Sequence, residues 1–588
     1  MKFRWSLAPS HPLLAGQLAS QLKISPLLAQ CLINRGFSEP AAIENFLSPR
    51  LKNLADPFLI PNMDKAVERL FRAREQNELL VIFGDYDVDG VTSTTLLVEI
   101  LRLLGWRVEF YLPSRMDEGY GLSADGVENC LKKFIPPAEK EGVINSQTLL
   151  LAVDCGSTAV ETIRNLKSRG VDVIVLDHHQ ISNPAPDAVA LVNPQSAKEN
   201  EISFRELCSV GLAFKLAHAI LKRGRETGLP GAMEFDLKSF LDLVALGTIA
   251  DLVPLIGENR ILVSAGLRQL NETKRAGILA LKNVAKIAGP IGAYEVGFQL
   301  APRLNAAGRL ETAEESLHLL LARNLNEAMP LAQNLDSRNR ERQKIEKTIC
   351  DEVIATIRAK FDAQNHFVIV EGRLLWHIGV VGIVASRVLQ EFYRPTIIIG
   401  GENGEMRGSG RSIAGFDLAK ALTECKEHLI RHGGHAMAAG LSILPEKIEW
   451  LREKMNELAR MKLTKDDLQP SLRLDAEVGL DEMNMTMLGE LEKLKPHGQG
   501  NPALQFCARN LSHAKPLQRI GADKQHVKMW VTDGAAKLEA AWWNAGDKSL
   551  PVGRFDLAFQ PQINQFNGNR TVQLKVLDWA ASGERVMV

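Results

Sequence analysis

Three short apolar runs, each ending in an acid, constrain the fold of this chain more than any other feature. They are LLVIF (79–83) followed by Gly84 and Asp85, TLLLAV (148–153) followed by Asp154, and VDVIVL (171–176) followed by Asp177, His178 and His179. A helix-like stretch, STAVETIRNLKSRG, lies between the last two. Unbroken apolar runs separated by helices predict a parallel sheet covered on both faces. Such sheets hold ligands beyond the carboxyl ends of their strands, so the terminal acids are expected to converge at one rim.

Behind the first run, Asp85, Asp87 and Asp89 occupy alternate positions in DYDVDG. In an extended segment all three project to one face, where they raise each other's pKa unless a cation lies among them. A further acid, Asp251, is flanked by apolar residues in ALGTIADLVPL, where it reads either as a helix cap or as one more ligand. Five or more carboxylates with one or two imidazoles and no thiolate form a hard, oxygen-rich set that suits Mn²⁺ or Mg²⁺ better than zinc. Two such ions serve in-line phosphoryl displacement, one on the attacking water and one on the leaving oxygen.

The 588 residues exceed what one core needs and predict several domains. The segment 1–50 reads as short accessory helices broken by Pro and Gly, and 51–325 as the α/β domain carrying the acids. Residues 326–360 are dense in charge, with Ile345, Ile349, Val353 and Ile357 at four-residue spacing. They predict a long helix of about 50 Å joining two lobes, its narrow apolar stripe a possible docking surface. From HFVIVEG through PTIIIGG a second α/β unit spans 361–460. Beyond it, 461–588 contains five strand-like runs separated by turn signals, as in an oligonucleotide-binding (OB) barrel or a generic sandwich.

Lys plus Arg equals Asp plus Glu at 70 each, so net charge argues for no polyanion and any such site must be a local patch. Seven scattered cysteines without C-x-x-C spacing argue against a zinc site or a disulfide framework and fit a reducing cytoplasm. The N-terminus lacks a signal-peptide core, and no apolar window is long enough to span a membrane.

DYDVDG, VDCGS, LDHH, GTIADLVPL and RHGGHAMAAG, in that order, resemble the motif series of the DHH phosphoesterases, and the resemblance extends to the RecJ branch of single-strand-specific 5′ to 3′ DNA exonucleases. It covers most of the chain, from RGFSEPAAIENFLSPRL and PNMDKAVERL to the C-terminal barrel. The resemblance implies two α/β lobes, a DHH domain and a smaller DHHA1-like domain, facing each other across a cleft and followed by an OB-fold. It implies that Asp87, Asp89, Asp154, His178 and Asp251 are metal ligands, with Asp154 bridging two Mn²⁺ or Mg²⁺ ions and Asp85 and His179 beside them. In much of the wider family a His stands two residues before the first acid; here Phe83 takes that place and leaves one ligand position unfilled.

Basic and glycine-rich elements supply candidate DNA contacts. Arg115 lies on a loop after a predicted strand, and the resemblance assigns it to a DNA cleft; the residues alone also allow a surface ion pair. APRLNAAGRL gathers Arg303, Asn305 and Arg309 in what reads as a small-residue loop able to grip phosphates, with a helix terminus carrying ordinary charges as the rival reading. In the second lobe, MRGSGRS offers Arg407 and Arg411 as bidentate donors and HGGHAMAAG has Gly433 and Gly434 permitting close backbone approach, while the resemblance implies His377 and Arg387 of WHIGVVGIVASR and Ser409 as further phosphate contacts. The resemblance assigns His435 to the scissile phosphate. Trp530, Trp542, Trp543, Phe559 and Phe566 are interspersed with Lys524, Lys528 and Arg570; they suit single-strand stacking or, for most of them, core packing.

The reading is a metal-dependent exonuclease that releases 5′-mononucleotides from single-stranded DNA in recombination, mismatch repair and fork repair. Its 5′ polarity is implied by the resemblance alone. The expected partners are single-stranded DNA, a single-strand-binding protein and a helicase, with no membrane, and the chain is expected to be a monomer. The rivals are a small-oligonucleotide phosphodiesterase or pyrophosphatase, and a non-catalytic binding module.

Overall fold

The computed structural model describes residues 3–114, 118–119, 121–134, 148–197, 204–310, 312–402, 404–546, 548–566 and 568–583. The chain divides into two units, one comprising Ala41–Arg340 with Lys493–Pro502, the other Met1–Pro40, Glu341–Glu492 and Ala503–Val588. The first strand, β1 (Arg4–Leu7), belongs to the latter.

In the unit around Ala41–Arg340, β2 (Leu79–Gly84), β3 (Arg107–Tyr111), β4 (Thr148–Val153), β5 (Asp172–Leu176) and β6 (Ala190–Val192) form one all-parallel sheet in the order β3-β2-β4-β5-β6. The apolar runs serve both faces. Leu80, Ile82, Leu149, Leu151 and Ile174 enter one core with the helices Met63–Glu75, Val88–Leu103 and Ser209–Thr227. Val81, Phe83, Leu150, Ala152 and Val173 enter another with the helices Ala124–Phe134 and Val160–Ser168. A strand with both faces covered has no solvent side, and for that reason these runs show no polar alternation. Phe83 is fully buried and stacks on Tyr111 at 5.5 Å, so the residue at the place where the resemblance implied a His is a core residue here.

The helix Leu325–Lys360 runs 36 residues, about 54 Å at the α-helical rise, and the division between the units falls within it. In the second unit, β7 (Ile369–Gly372), β8 (Thr396–Glu402), β9 (Glu405–Arg411), β10 (Arg431–His435) and β11 (Ala438–Ile443) make a mixed sheet ordered β10-β11-β9-β8-β7. Ile349, Val353 and Ile357 are buried against Trp376 and the helix Val381–Phe392, with Ile345 packed beside them. This corrects the docking-surface reading: the stripe is core, because the α/β lobe folds onto its own connecting helix.

The C-terminal strands β12 (Ser471–Leu474), β13 (Ala476–Glu477), β14 (Phe506–Ile520), β15 (His526–Thr532), β16 (Lys537–Trp542), β17 (Phe555–Phe566) and β18 (Asn569–Ala581) follow. Pairing of β14 with both β15 and β17 closes β14-β15-β16-β18-β17 into an OB-like barrel, which excludes the sandwich. Strand β1 pairs in parallel with β12, and Trp5 is buried with Leu474, Cys507 and Ala558 while its indole N–H donates to Asp578 at 3.0 Å.

Candidate metal centre and phosphate strip

The expected convergence of acids occurs at the carboxyl ends of β2, β4 and β5, but its local geometry differs from the extended-segment expectation. Asp87 is the N-cap of the helix Val88–Leu103, its side chain accepting from the Gly90 N–H at 3.1 Å, and Asp89 is already helical. A Cβ on Gly90 would lie 2.5 Å from the Asp85 carbonyl oxygen, so the glycine lets the loop fold back over the helix start. The three acids therefore do not share a face. Asp85 and Asp87 gather with Asp154, while Asp89 gathers with His178 and Asp251 at the end of the helix Leu241–Ala250. His178 and His179 also gather with Asp154, so Asp154 and His178 each belong to two groups.

Each side chain is held by backbone geometry that the fold imposes. Asp154, 3% exposed, has φ +64, a left-handed conformation uncommon outside glycine that Asp adopts more readily than most. The carboxylate of Asp89 accepts from the N–H groups of Ser209 and Val210 at 2.7 and 2.8 Å, at the first turn of the helix Ser209–Thr227. The Ser209 hydroxyl donates to Asp154 at 2.8 Å. Asp177 accepts from the N–H groups of Ser157, His178 and His179 and pairs with the His179 ring at 2.8 Å.

The electrostatics match a site built for cations. Burial, then the neighbouring Asp251, pushes the Asp89 carboxyl up to about 7. Burial, then Asp89 and Asp87, raises Asp154, and burial raises Asp251 against the opposing pull of His178. Burial alone would raise Asp177, but its hydrogen bond with His179 holds it well below the usual carboxylate range. In return Asp177 overcomes the burial of the His179 imidazole and raises it to about 9.

His178 Nε2 lies 3.5 Å from Asp154 Oδ1, 3.6 Å from Asp251 Oδ2 and 3.9 Å from Asp89 Oδ2. The His178 and Asp251 atoms are buried and neither has a hydrogen-bond partner. Ligand atoms about 2.1 Å from a common ion stand roughly 3 to 4 Å apart, so these spacings fit a shared divalent cation better than hydrogen bonding. The all-oxygen-and-imidazole donor set fits Mn²⁺ or Mg²⁺.

Of the predicted DNA contacts, Arg115 lies outside the described residues. The loop expected for Arg303, Asn305 and Arg309 is instead the helix Ala301–Leu310, as its alanine and leucine content favours. Within it Arg303 is tied to Asp336 at 2.9 Å and to the Gln299 carbonyl, so its guanidinium is largely committed internally. A Cβ on Gly308 would lie 2.9 Å from the Tyr86 carbonyl oxygen, so the same helix seats closely against the Asp85–Asp87 loop.

In the second unit, strand register aligns His435 with Ala438 and Arg411, Gly433 with Gly440 and Ser409, and Arg431 with Ser442 and Arg407. Cross-strand partners share a face, so these residues form one strip bounded by the exposed edge strand β10. Arg411 donates to Ser409 at 3.1 Å, and Gly382 at the start of the helix Val381–Phe392 is close enough that a Cβ would meet Ser409 at 2.9 Å. Arg387 pairs with the buried Glu346 of the long helix, and His377 accepts from the Gly379 N–H. Among the barrel aromatics, Phe559 and Trp542 are buried, Trp543 is exposed, and Lys515 and Lys537 flank Trp530.

The sequence reading did not anticipate Ser209, Ser157 or Asn193, whose amide ties Ser157 to the His179 carbonyl. It counted Asp177 among the converging acids, whereas Asp177 lies in none of the ligand groups and pairs instead with the His179 ring. The DHH tripeptide held that signal, since an acid directly preceding two imidazoles can orient one of them.

Family models match three parts of the chain: the DHH family N-terminal domain at 79–248, the DHHA1 domain at 365–461 and the RecJ OB domain at 474–578. The single-stranded-DNA-specific exonuclease RecJ of Bacillus subtilis is 37% identical over 99% of this chain and 71% of its own length. That of Dickeya dadantii is 34% identical over 94% and 95%. The crystal structure of RecJ from Thermus thermophilus in complex with Mn²⁺ is similar with a TM-score of 0.83 and 28% identity, covering 99% of this chain and 80% of that one. Its Mg²⁺ complex gives a TM-score of 0.76. With three family models matched along it and relatives above 30% identical over more than two thirds of both chains, the chain belongs to the RecJ family of DHH/DHHA1 phosphoesterases.

Proposed function

We propose that this protein is a metal-dependent exonuclease that degrades single-stranded DNA from the 5′ end and releases 5′-mononucleotides. The observation that carries the reading is the set of three ligand groups linked to one another through Asp154 and His178. Bound there, two Mn²⁺ or Mg²⁺ ions would activate the attacking water and neutralise charge on the phosphoryl oxygens.

The chain's own residues prepare that chemistry. Asp85, Asp87 and Asp154 would hold one ion, and Asp89, Asp154, His178 and Asp251 the other. The Ser209 and Val210 N–H groups fix Asp89 so that its remaining lone pairs face the ligand position. Asp177 keeps His179 protonated at neutral pH, a cation suited to a phosphate oxygen. The strip of Arg407, Ser409, Arg411, Gly433 and His435 would bind the DNA backbone through guanidinium donors, the His435 ring and bare backbone amides, with Gly434 letting β10 run close to β11. The barrel would add single-strand affinity. The enzyme would act as a cytoplasmic monomer, with a single-strand-binding protein and a helicase presenting the strand.

The test is Mn²⁺-dependent degradation of end-labelled single strands compared with blunt duplex, with Asp154→Ala as control. Mononucleotides lost from 5′ ends of single strands, and none from the variant, are expected. Activity confined to di- or trinucleotides would move the protein to a small-substrate role, and binding without cleavage would leave a binding module.

A further inference from the structure

Two large aromatic side chains stand in the open on the unit that carries the metal-ligand groups. Tyr294 is 63% and Phe298 71% exposed, and their rings stack on each other with centroids 5.0 Å apart and planes 30° from parallel. Burying them would be favourable, and a soluble fold rarely leaves such a pair uncovered without a use for it. Tyr294 lies in the helical turn Ala293–Glu295, Phe298 in the π-helical turn Val296–Leu300 that follows. Single π-helical turns cluster at functional sites.

The position of this turn points to its occupant. A Cβ on Gly297 would sit 3.9 Å from Ile249, two residues before Asp251. The turn continues directly into the helix Ala301–Leu310, which seats Gly308 against Tyr86, between Asp85 and Asp87. The aromatic pair is thus built on a segment that passes beside Ile249, near Asp251, and runs on to the Asp85–Asp87 loop. Beside Asp251, Leu252 is 73% exposed and held at φ +64, a third uncovered apolar side chain, kept in a strained backbone conformation.

We infer that Tyr294 and Phe298 form a stacking platform for unpaired nucleobases of the substrate strand. The inference rests on the proposed exonuclease function and adds a base-side contact to a site otherwise described through phosphates. Stacking on an aromatic face accepts any base, whereas a paired base keeps its faces covered within the duplex. The platform therefore favours single strands without reading sequence. Because the contact is apolar, it contributes affinity without releasing counterions.

The experiment compares the full-length protein with the Tyr294→Ala/Phe298→Ala double variant. Binding of an oligothymidylate and of an abasic strand of equal length is measured in chelator across a range of salt concentrations. The double variant is expected to bind oligothymidylate about tenfold or more weakly, with an unchanged salt slope, and to bind the abasic strand as the parent does. An unaltered Mn²⁺-induced rise in melting temperature shows that its metal groups remain folded. Equal oligothymidylate binding by both proteins, or equal loss on the abasic strand, overturns the platform. So does a dimer of the parent, seen by sedimentation, that the double variant dissolves. Base-dependent binding lost in the variant, in a parent that degrades no DNA, would uphold the platform while removing the exonuclease reading.

Discussion

Ser209 donates its hydroxyl to Asp154 at 2.8 Å while its backbone N–H donates to Asp89 at 2.7 Å, so one residue at a helix start ties together acids that belong to different ligand groups. Ser209→Ala removes the first bond and keeps the second. Loss of one donor to a buried carboxylate costs about 1 to 3 kcal/mol. Groups that orient metal ligands change affinity about 10- to 100-fold when removed. The Mn²⁺ concentration for half-maximal activity is expected to rise at least about tenfold, with activity at saturating Mn²⁺ nearly retained. An unshifted Mn²⁺ activation curve would show the hydroxyl to be incidental.

Asp89 predicts how stability follows pH. Its carboxyl titrates near 7 in the folded chain, against about 4 when unfolded, because burial and Asp251 oppose its charge. Without metal, its contribution is fully present below about pH 4 and is lost as pH rises through 7. The His179 imidazole, raised to about 9, acts in the same direction at higher pH. In chelator the melting temperature should therefore fall between about pH 5.5 and 8. A divalent cation needs the ionised carboxylates, so the rise it induces should grow over the same interval. Thermal denaturation with and without Mn²⁺ measures both trends, and a cation effect independent of pH would contradict the assignment.

Asp177 controls the charge of His179 across their 2.8 Å contact. Asp177→Asn removes the negative charge, so the imidazole should fall from about 9 toward its ordinary value near 6.5. If the protonated ring contacts substrate, the alkaline limb of the kcat/KM profile moves about two pH units lower. The same substitution places an amide donor among the Ser157, His178 and His179 N–H groups and should lower stability. A profile that keeps its alkaline limb would remove His179 from the substrate contact.

The parts of this site that were legible in the sequence are those governed by periodicity. Apolar runs announced the parallel sheet, and the acids ending β2, β4 and β5 announced its ligand rim. The alternate spacing of Asp85, Asp87 and Asp89 misled, because Asp87 caps a helix at once and turns Asp89 to a different neighbourhood. An Asp three residues before a Gly, ahead of an apolar helical run, carried that capping signal. APRLNAAGRL read as a loop through its small Ala-Ala-Gly run, although alanine and leucine set its helical state. Ser209 had no local signal, since its importance comes from a contact with Asp89 across 120 residues. The stripe at Ile349, Val353 and Ile357 showed an apolar face but not its partner, which is the fold's own Val381–Phe392 helix.

The strip on β9, β10 and β11 makes neighbouring glycines separable by experiment. Gly433 has open space where a Cβ would stand, whereas at Gly434, with φ +134, a Cβ would meet the Ala438 carbonyl oxygen at 2.5 Å. Gly433→Ala should fold normally and Gly434→Ala should be destabilised, because only the second forces backbone apart and strains its own conformation. If DNA phosphates approach bare backbone at this strip, the Gly433 methyl group should weaken single-strand binding although stability is unchanged. Arg411→Ala, on the same strip, should also weaken binding and reduce the salt slope by about one. Denaturation and salt-dependent binding separate these effects. Normal binding by Gly433→Ala together with an unchanged slope in Arg411→Ala would remove the strip from the DNA contact and leave its glycines a purely structural role.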